Sequence, residues 1–297
     1  MSRRVLVIRL GALGDFFLSF PAFAAIRAHE AAAEITLLTT APYADVARGA
    51  PWFERVTTDR KPAPWNLPGL VRLAGQLRGY DIVYDLQTSR RSNWYFRLAG
   101  RPPWSGIAPG CALLHANPLR DAMHTRERQR DQLAMAGIRN FRCPDISWLG
   151  AAAPEVPPPY AILVPGAAVH RPAKRWPSAR YAALAEWFRG RGITPVVVGA
   201  KRERELASTI PAAVDLTGRT DLAGLAALAR GASLAVGNDT GPMHVAASVG
   251  CPCVVLFSAD SDPALTAPRG PCGAWPVVLR VPDLKDLPLE KVVAALS

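Results

Sequence analysis

The sequence predicts an α/β protein made of two successive doubly wound parallel sheets. Short aliphatic runs alternate with helical stretches, runs such as Val5-Leu6-Val7-Ile8 are apolar on both faces, and the alternation restarts after one proline-rich break near the middle. The chain has 297 residues, 49% of them hydrophobic and 20% charged. That balance excludes a disordered or fibrous protein and leaves ample core. At about 100–200 residues per domain, the length suits two domains.

The first half reads as a strand over 5–8, a helix over 16–27, a strand over 35–39, a helix over 67–77, a strand over 81–86 and a helix over 124–136. Strands apolar on both faces suit a sheet covered by helices on each side. Residues 151–159 then place four prolines among nine residues with no apolar period, which reads as a semi-rigid linker. The expected division is therefore a domain over 1–150, a linker over 151–159 and a domain over 160–297. In the second domain the pattern predicts strands over 160–164, 194–198, 214–216, 234–236 and 253–257. Helices over 178–189, 201–210, 222–229 and 242–249 connect them. Right-handed crossovers between parallel strands put each binding crevice at the carboxyl ends of the strands.

The net charge of +11 is uneven: residues 1–150 hold 20 Lys and Arg against 12 Asp and Glu, and residues 151–297 hold 15 against 12. Arg60, Lys61, Arg90, Arg91, Arg97 and the arginines of 120–130 supply much of the N-terminal excess. Such a field suits nucleic acid, an anionic membrane surface or a phosphorylated small substrate, or is a plain arginine-rich surface. The chain carries no aromatic-basic strand motif of the RRM kind, so nucleic acid is not an expected partner. No run reaches the roughly 18–20 apolar residues of a spanning helix, and 5–8 is too short for a signal-peptide core, so the expected location is cytoplasmic. The five cysteines, Cys111, Cys143, Cys251, Cys253 and Cys272, show no CxxC or zinc spacing and read as reduced, mostly buried thiols.

Three segments carry candidate chemistry. The first, Arg9-Leu10-Gly11-Ala12-Leu13-Gly14-Asp15, follows the first strand and opens the first helix. Its glycines permit close approach of a ligand to the backbone. Asp15 is placed either to cap the helix or to take a proton from a bound hydroxyl. The second follows the strand over 160–164 with Pro165-Gly166-Ala167 and then groups Arg171, Lys174 and Arg175, a phosphate grip ahead of the helix at Ser178. The third, Gly237-Asn238-Asp239-Thr240-Gly241-Pro242-Met243-His244, leads from a strand into a helix N-terminus. The N–H groups of Thr240, Gly241 and Met243, with His244, suit a diphosphate there. No GxGxxG or GK[ST] is present, which weighs against a dehydrogenase. Asp260 and Asp262, the close acidic pair after a strand, read as a turn and not as a metal pair.

Taken together and in this order, the segments resemble glycosyltransferase family 9, the lipopolysaccharide heptosyltransferases. The likeness lies in 9–15 with Pro21, in Pro165-Gly166 through Lys174-Arg175-Trp176-Pro177, in Asp215-Leu216-Thr217-Gly218-Arg219-Thr220, and in Gly237 through His244, the most specific of the four. The resemblance implies a GT-B architecture, two Rossmann-like domains facing a cleft, with acceptor on the N-terminal domain and nucleotide sugar on the C-terminal one. It implies Asp15 as catalytic base, Lys174 with Arg175 on the donor diphosphate, and Glu203 on the ribose. Asp239, Thr240, Gly241 and His244 would form the phosphate and sugar site, with Gly11, Gly14 and Gly166 in the loops beside the substrates. The implied reaction is an inverting transfer from ADP-L-glycero-β-D-manno-heptose, a substrate, to an anionic lipid-linked acceptor: Kdo-lipid A or a core heptose. No metal or other cofactor is expected. A peripheral place on the cytoplasmic face of the inner membrane follows from the acceptor. The chain is somewhat short for the family, which leaves the acceptor open. The alternatives are a related transferase using another sugar or acceptor and a non-catalytic binding protein of the same fold.

Overall fold

The computed structural model describes residues 2–150, 154–168 and 170–296. They form two compact units, the first ending at Pro144 and the second beginning at Asp145. Of the predicted linker, 151–153 lie outside the described residues.

In the first unit, β1 (Arg4–Ile8), β2 (Glu34–Thr39), β3 (Arg55–Thr58), β4 (Ile82–Asp85), β5 (Trp104–Gly106) and β6 (Leu113–Leu114) form one parallel sheet in the order β3-β2-β1-β4-β5-β6. Val5 pairs with Ile35 on one side and Ile82 on the other. Apart from Arg4 at the start of β1, the central strands β1 and β4 are buried because helices cover both faces, as the two-sided apolar runs require. These helices are α1 (Leu13–Leu18), α2 (Phe20–His29), α3 (Ala41–Gly49), α4 (Leu67–Leu77), α5 (Arg90–Leu98) and α6 (Thr125–Met135). Leu6, Ile8, Leu38, Val83, Tyr95 and Trp104 centre one core cluster, and burying each such side chain contributes about 1.5–3 kcal/mol.

The second unit repeats the plan with β7 (Tyr160–Val164), β8 (Thr194–Val197), β9 (Val214–Asp215), β10 (Leu234–Asn238), β11 (Cys253–Phe257) and β12 (Val277–Arg280), all parallel, in the order β12-β11-β10-β7-β8-β9. Its helices are α7 (Ser178–Arg189), α8 (Arg204–Ser208), α9 (Leu222–Gly231), α10 (Gly241–Ser248), α11 (Pro263–Thr266) and α12 (Leu289–Ala294). Counted within each unit, both sheets have the strand order 3-2-1-4-5-6 of a doubly wound dinucleotide-type fold. Residues 145–150 pack with the second unit, where the Arg230 guanidinium donates to the carbonyls of Ile146 at 2.9 Å and Leu149 at 2.7 Å.

The structure departs from the pattern where local chemistry overrides it. The helix predicted over 16–27 begins earlier and is broken at Ser19, because Pro21 has no N–H to continue the ladder and Ser19 Oγ bonds the Asp15 carbonyl at 2.7 Å instead. The helix predicted over 201–210 opens as a 3₁₀ turn, Lys201–Glu203, before α8. Of the cysteines, Cys111, Cys251 and Cys253 are free and buried. Cys143 and Cys272 are disulfide-bonded, which corrects the expectation of reduced thiols; residues so scattered carry no spacing signal for a bridge. Among the described residues no helix is long and apolar enough to cross a membrane.

Candidate active site

Each sheet has one position where the strand order reverses, β1/β4 in the first unit and β7/β10 in the second. Loops leaving the carboxyl ends there make the binding crevice of such sheets. The predicted segments sit at these two positions.

In the first unit, Arg9 leaves β1 and folds inward, its side chain only 4% exposed. It donates to the Leu86 carbonyl at the end of β4, and its Nη2 lies 3.2 Å from Asp15 Oδ1. Burial pushes the Arg9 pKa down, and the Asp15 charge acts in the opposite direction. The backbone N–H of Leu10 donates to Gln87 Oε1 at 2.8 Å, so the loops after β1 and β4 are tied twice. Gly11 has φ +115°, a region that favours glycine, and a Cβ there would stand 2.7 Å from the Tyr43 ring. Gly14 and Asp15 lie in the first turn of α1, where Asp15 Oδ2 accepts from the Ala12 N–H at 3.3 Å. Asp15 therefore takes part in the cap through one oxygen while the other faces Arg9, and its side chain stays 36% exposed. Arg128 on α6 is half-buried. Burial and the charge of Arg120 lower its pKa, and the charge of Asp15 opposes them.

In the second unit, the side chain of Asn238 at the end of β10 is the hub. Its Nδ2 donates to the Pro165 carbonyl at 2.8 Å, and its Oδ1 accepts from the Trp176 N–H at 3.2 Å and the Tyr181 hydroxyl at 3.1 Å. This fixes the loop after β7, including Gly166, against the loop after β10. Lys174, 11% exposed, reaches Asp239 Oδ2 at 2.6 Å, and Ser261 Oγ donates to the same oxygen at 2.8 Å. His244 Nε2 lies 4.0 Å from Asp239 Oδ1. Thr240 stands at the N-cap of α10, its buried hydroxyl without a hydrogen-bond partner among the described residues. Its carbonyl accepts from the Met243 N–H at 3.1 Å, so that N–H is used inside the turn and is not offered to a ligand, a correction to the expectation of three donors. Arg175 is exposed and donates to the Ala167 carbonyl at 3.2 Å.

Glu203 follows β8, the second strand of its unit, where doubly wound folds hold the acid that meets a ribose. Its carboxylate lies against the ends of β7 and β8: a Cβ on Gly166 would meet Oε1 at 2.2 Å, and one on Gly199 would meet Oε2 at 2.5 Å. Only glycine leaves room for it. Asp262 caps α11 by accepting from the Ala264 N–H at 3.0 Å, the turn role read from the sequence. Among the described residues no three His, Cys, Asp or Glu side chains gather to hold a metal ion.

The second unit thus brings Lys174, Asp239, Thr240, Gly241 and His244 to one strand end, with Gly166 and Glu203 at the neighbouring one. Arg9 and Asn238 lie within the first and third segments, with no role legible before the sheets are formed. Their signal is a charged or amide side chain closing an apolar strand, which costs free energy unless it is fully hydrogen-bonded. Several arginines of the basic first half have partners within the protein. Arg91 is bonded to the Tyr95 hydroxyl, Arg120 is paired with Asp121 at 2.7 Å, and Arg130 lies over the Phe141 ring at 5.3 Å.

Comparison with known proteins places this geometry. A family model described as glycosyltransferase family 9 (heptosyltransferase) matches residues 70–273. The chain is 28% identical over 304 residues to lipopolysaccharide heptosyltransferase 1 of Pseudomonas aeruginosa, covering 90% of this chain and 81% of that one. A glycosyl transferase family 9 structure from Veillonella parvula superposes with a TM-score of 0.82 at 23% identity, over 99% of this chain and 95% of the other. E. coli heptosyltransferase WaaC with ADP superposes with 0.77 at 20% identity, over 99% and 98%. The fold class is GT-B, with two parallel six-stranded sheets.

Proposed function

The chain belongs to glycosyltransferase family 9, the heptosyltransferases, and from that premise we propose an inverting transfer of heptose from ADP-heptose to the lipopolysaccharide inner core. The observation that carries the reading is Asp15: a carboxylate at the switch point of the first sheet, held by a buried arginine yet open to solvent. Asp15 accepts the proton of the acceptor hydroxyl as that oxygen bonds the anomeric carbon from the face opposite the leaving group. The bond from the anomeric carbon to the diphosphate oxygen breaks, and ADP departs with the electron pair. The negative charge that develops there falls to the second unit. Lys174, the Thr240 hydroxyl and the N-terminus of α10 are its donors, with Arg175 and His244 beside them. Because Lys174 is matched by Asp239, the pair carries no net charge, which makes the helix end and Arg175 the net attraction for a diphosphate.

Glu203 receives the ribose hydroxyls. Arg128, half-buried on α6 and within the electrostatic reach of Asp15, suits the anionic groups of a Kdo-bearing acceptor. An ADP-sugar donor is supported by the ADP carried by the E. coli relative of the same fold. A lipid-linked acceptor places the enzyme at a membrane face as a peripheral protein. The test is release of nucleoside diphosphate from ADP-, UDP- and GDP-sugars in the presence of Kdo-lipid A and of heptosylated core. Acceptor-dependent release from ADP-heptose alone is expected. Release from UDP- or GDP-sugars alone would replace the donor, and binding of ADP without any release would leave a non-catalytic module.

A further inference from the structure

We propose that residues 60–72 form a membrane-docking element whose exposed apolar side chains enter the headgroup region of an anionic bilayer. The inference deepens the membrane-facing part of the function proposed above and rests on it. Trp65 is 83% exposed, Leu67 69% and Val71 73%, the three most exposed large apolar side chains in the protein's described residues. They are neighbours. Trp65 stands in the loop entering α4, and Leu67 and Val71 are four apart on one face of that helix, whereas Leu73 and Leu77 bury the other face in the core.

The charge around them is one-sided. Between Asp59 and Asp81 the sequence holds Arg60, Lys61, Arg72 and Arg78 and no Asp or Glu. Arg60, Lys61 and Arg72 are exposed, and among the described residues none forms an ion pair. Arg60, Asn66 and Arg72, with the buried Asp59, line a pocket of about 270 Å³ in the same segment. Soluble surfaces seldom group a tryptophan and two aliphatics so openly. A tryptophan with basic flanks instead matches the boundary of an anionic bilayer, where the ring sits at headgroup level and each cation meets a lipid phosphate. Arg91 adjoins this segment by donating to the Pro62 carbonyl at 3.3 Å, with Tyr95 and Asp59 as its other contacts, whereas Arg120 and Arg130 lie on other elements.

The test uses the full chain in co-sedimentation with vesicles of phosphatidylglycerol and phosphatidylcholine, and of phosphatidylcholine alone, at low and high salt. Wild type is expected to partition onto the anionic vesicles, less so as salt rises. Trp65→Ser/Leu67→Ser should weaken the partition at least about tenfold, as burial of two large apolar groups is lost. Arg60→Gln/Arg72→Gln should weaken it about tenfold, whereas the charge-matched control Arg189→Gln/Lys291→Gln should change it less than about twofold. Melting temperature and ADP affinity should match wild type in all variants, since the altered side chains are exposed. Wild-type partition by Trp65→Ser/Leu67→Ser, or an equal loss in the control, would overturn the proposal. So would a dimer that this apolar variant dissolves in the absence of any vesicle binding. Transfer to a delipidated, soluble acceptor is measured in the same preparations. If it proceeds while the patch variants bind vesicles normally, only this inference fails, and if it is absent while vesicle binding follows the pattern above, the proposed reaction fails and the docking element stands.

Discussion

Arg9 Nη2 lies 3.2 Å from Asp15 Oδ1, a buried cation holding a carboxylate that is still open to solvent. The guanidinium is anchored on the other side by the Leu86 carbonyl, so the acid is aimed from the junction of β1 and β4. Arg9 is therefore a positioning residue. Arg9→Met should lower turnover about ten- to a hundredfold with ADP affinity unchanged, the usual cost of a misplaced catalytic group. Arg9→Lys should recover part of it. Steady-state kinetics beside ADP calorimetry decides: a loss confined to ADP affinity would contradict the role.

Lys174 and Asp239 are both nearly buried at 2.6 Å. Lys174→Met leaves Asp239 with the Ser261 hydroxyl as its remaining close donor, and stranding a buried charge costs about 3–5 kcal/mol. Urea unfolding should show a loss of that order, together with weaker ADP binding. Unchanged ADP affinity in the folded fraction would reduce Lys174 to the partner of Asp239.

Asp85 gives a dependence on pH. Burial raises its pKa from 3.8 to about 6, its Oδ1 accepts from the Gln87 and Thr88 N–H groups, and its Oδ2 has no hydrogen-bond partner among the described residues. Between those values the folded chain holds the proton more tightly than the unfolded one. The favourable contribution of this group is present below about pH 4 and is lost as pH rises to about 6, on the order of 2–3 kcal/mol. Unfolding free energies at pH 4 to 7 for wild type and Asp85→Asn should therefore differ by a quantity that shifts against wild type across that window. A constant difference would contradict it.

The fold was legible where the apolar pattern was strong. β7, α7, β11 and α4 fall where the sequence puts them, because caps or prolines bound clean apolar runs there. Elements such as α5, whose buried face is only Ser92, Tyr95 and Phe96 within an arginine-rich stretch, and β6, two residues long, carry too little local signal. The loops of the candidate site were legible as glycine turns at strand ends. What was not legible is which polar groups answer one another. Arg9 with Leu86, and Asn238 with Pro165 and Trp176, join segments that are 77, 73 and 62 residues apart. The strand order of the sheet alone brings them together. The same holds for Glu203 against Gly166, a contact visible only once β7 and β8 pair.

The central claim is that Asp15 moves a proton, and it is tested most directly by turnover of Asp15→Asn with saturating ADP-heptose and acceptor, read beside its melting temperature and ADP affinity. The account predicts a fall in turnover of about 10²–10⁴, with ADP affinity unchanged and only a modest drop in stability, because Arg9 keeps the Leu86 carbonyl. Near-normal turnover with a lowered melting temperature would contradict it and leave Asp15 as the cap of α1.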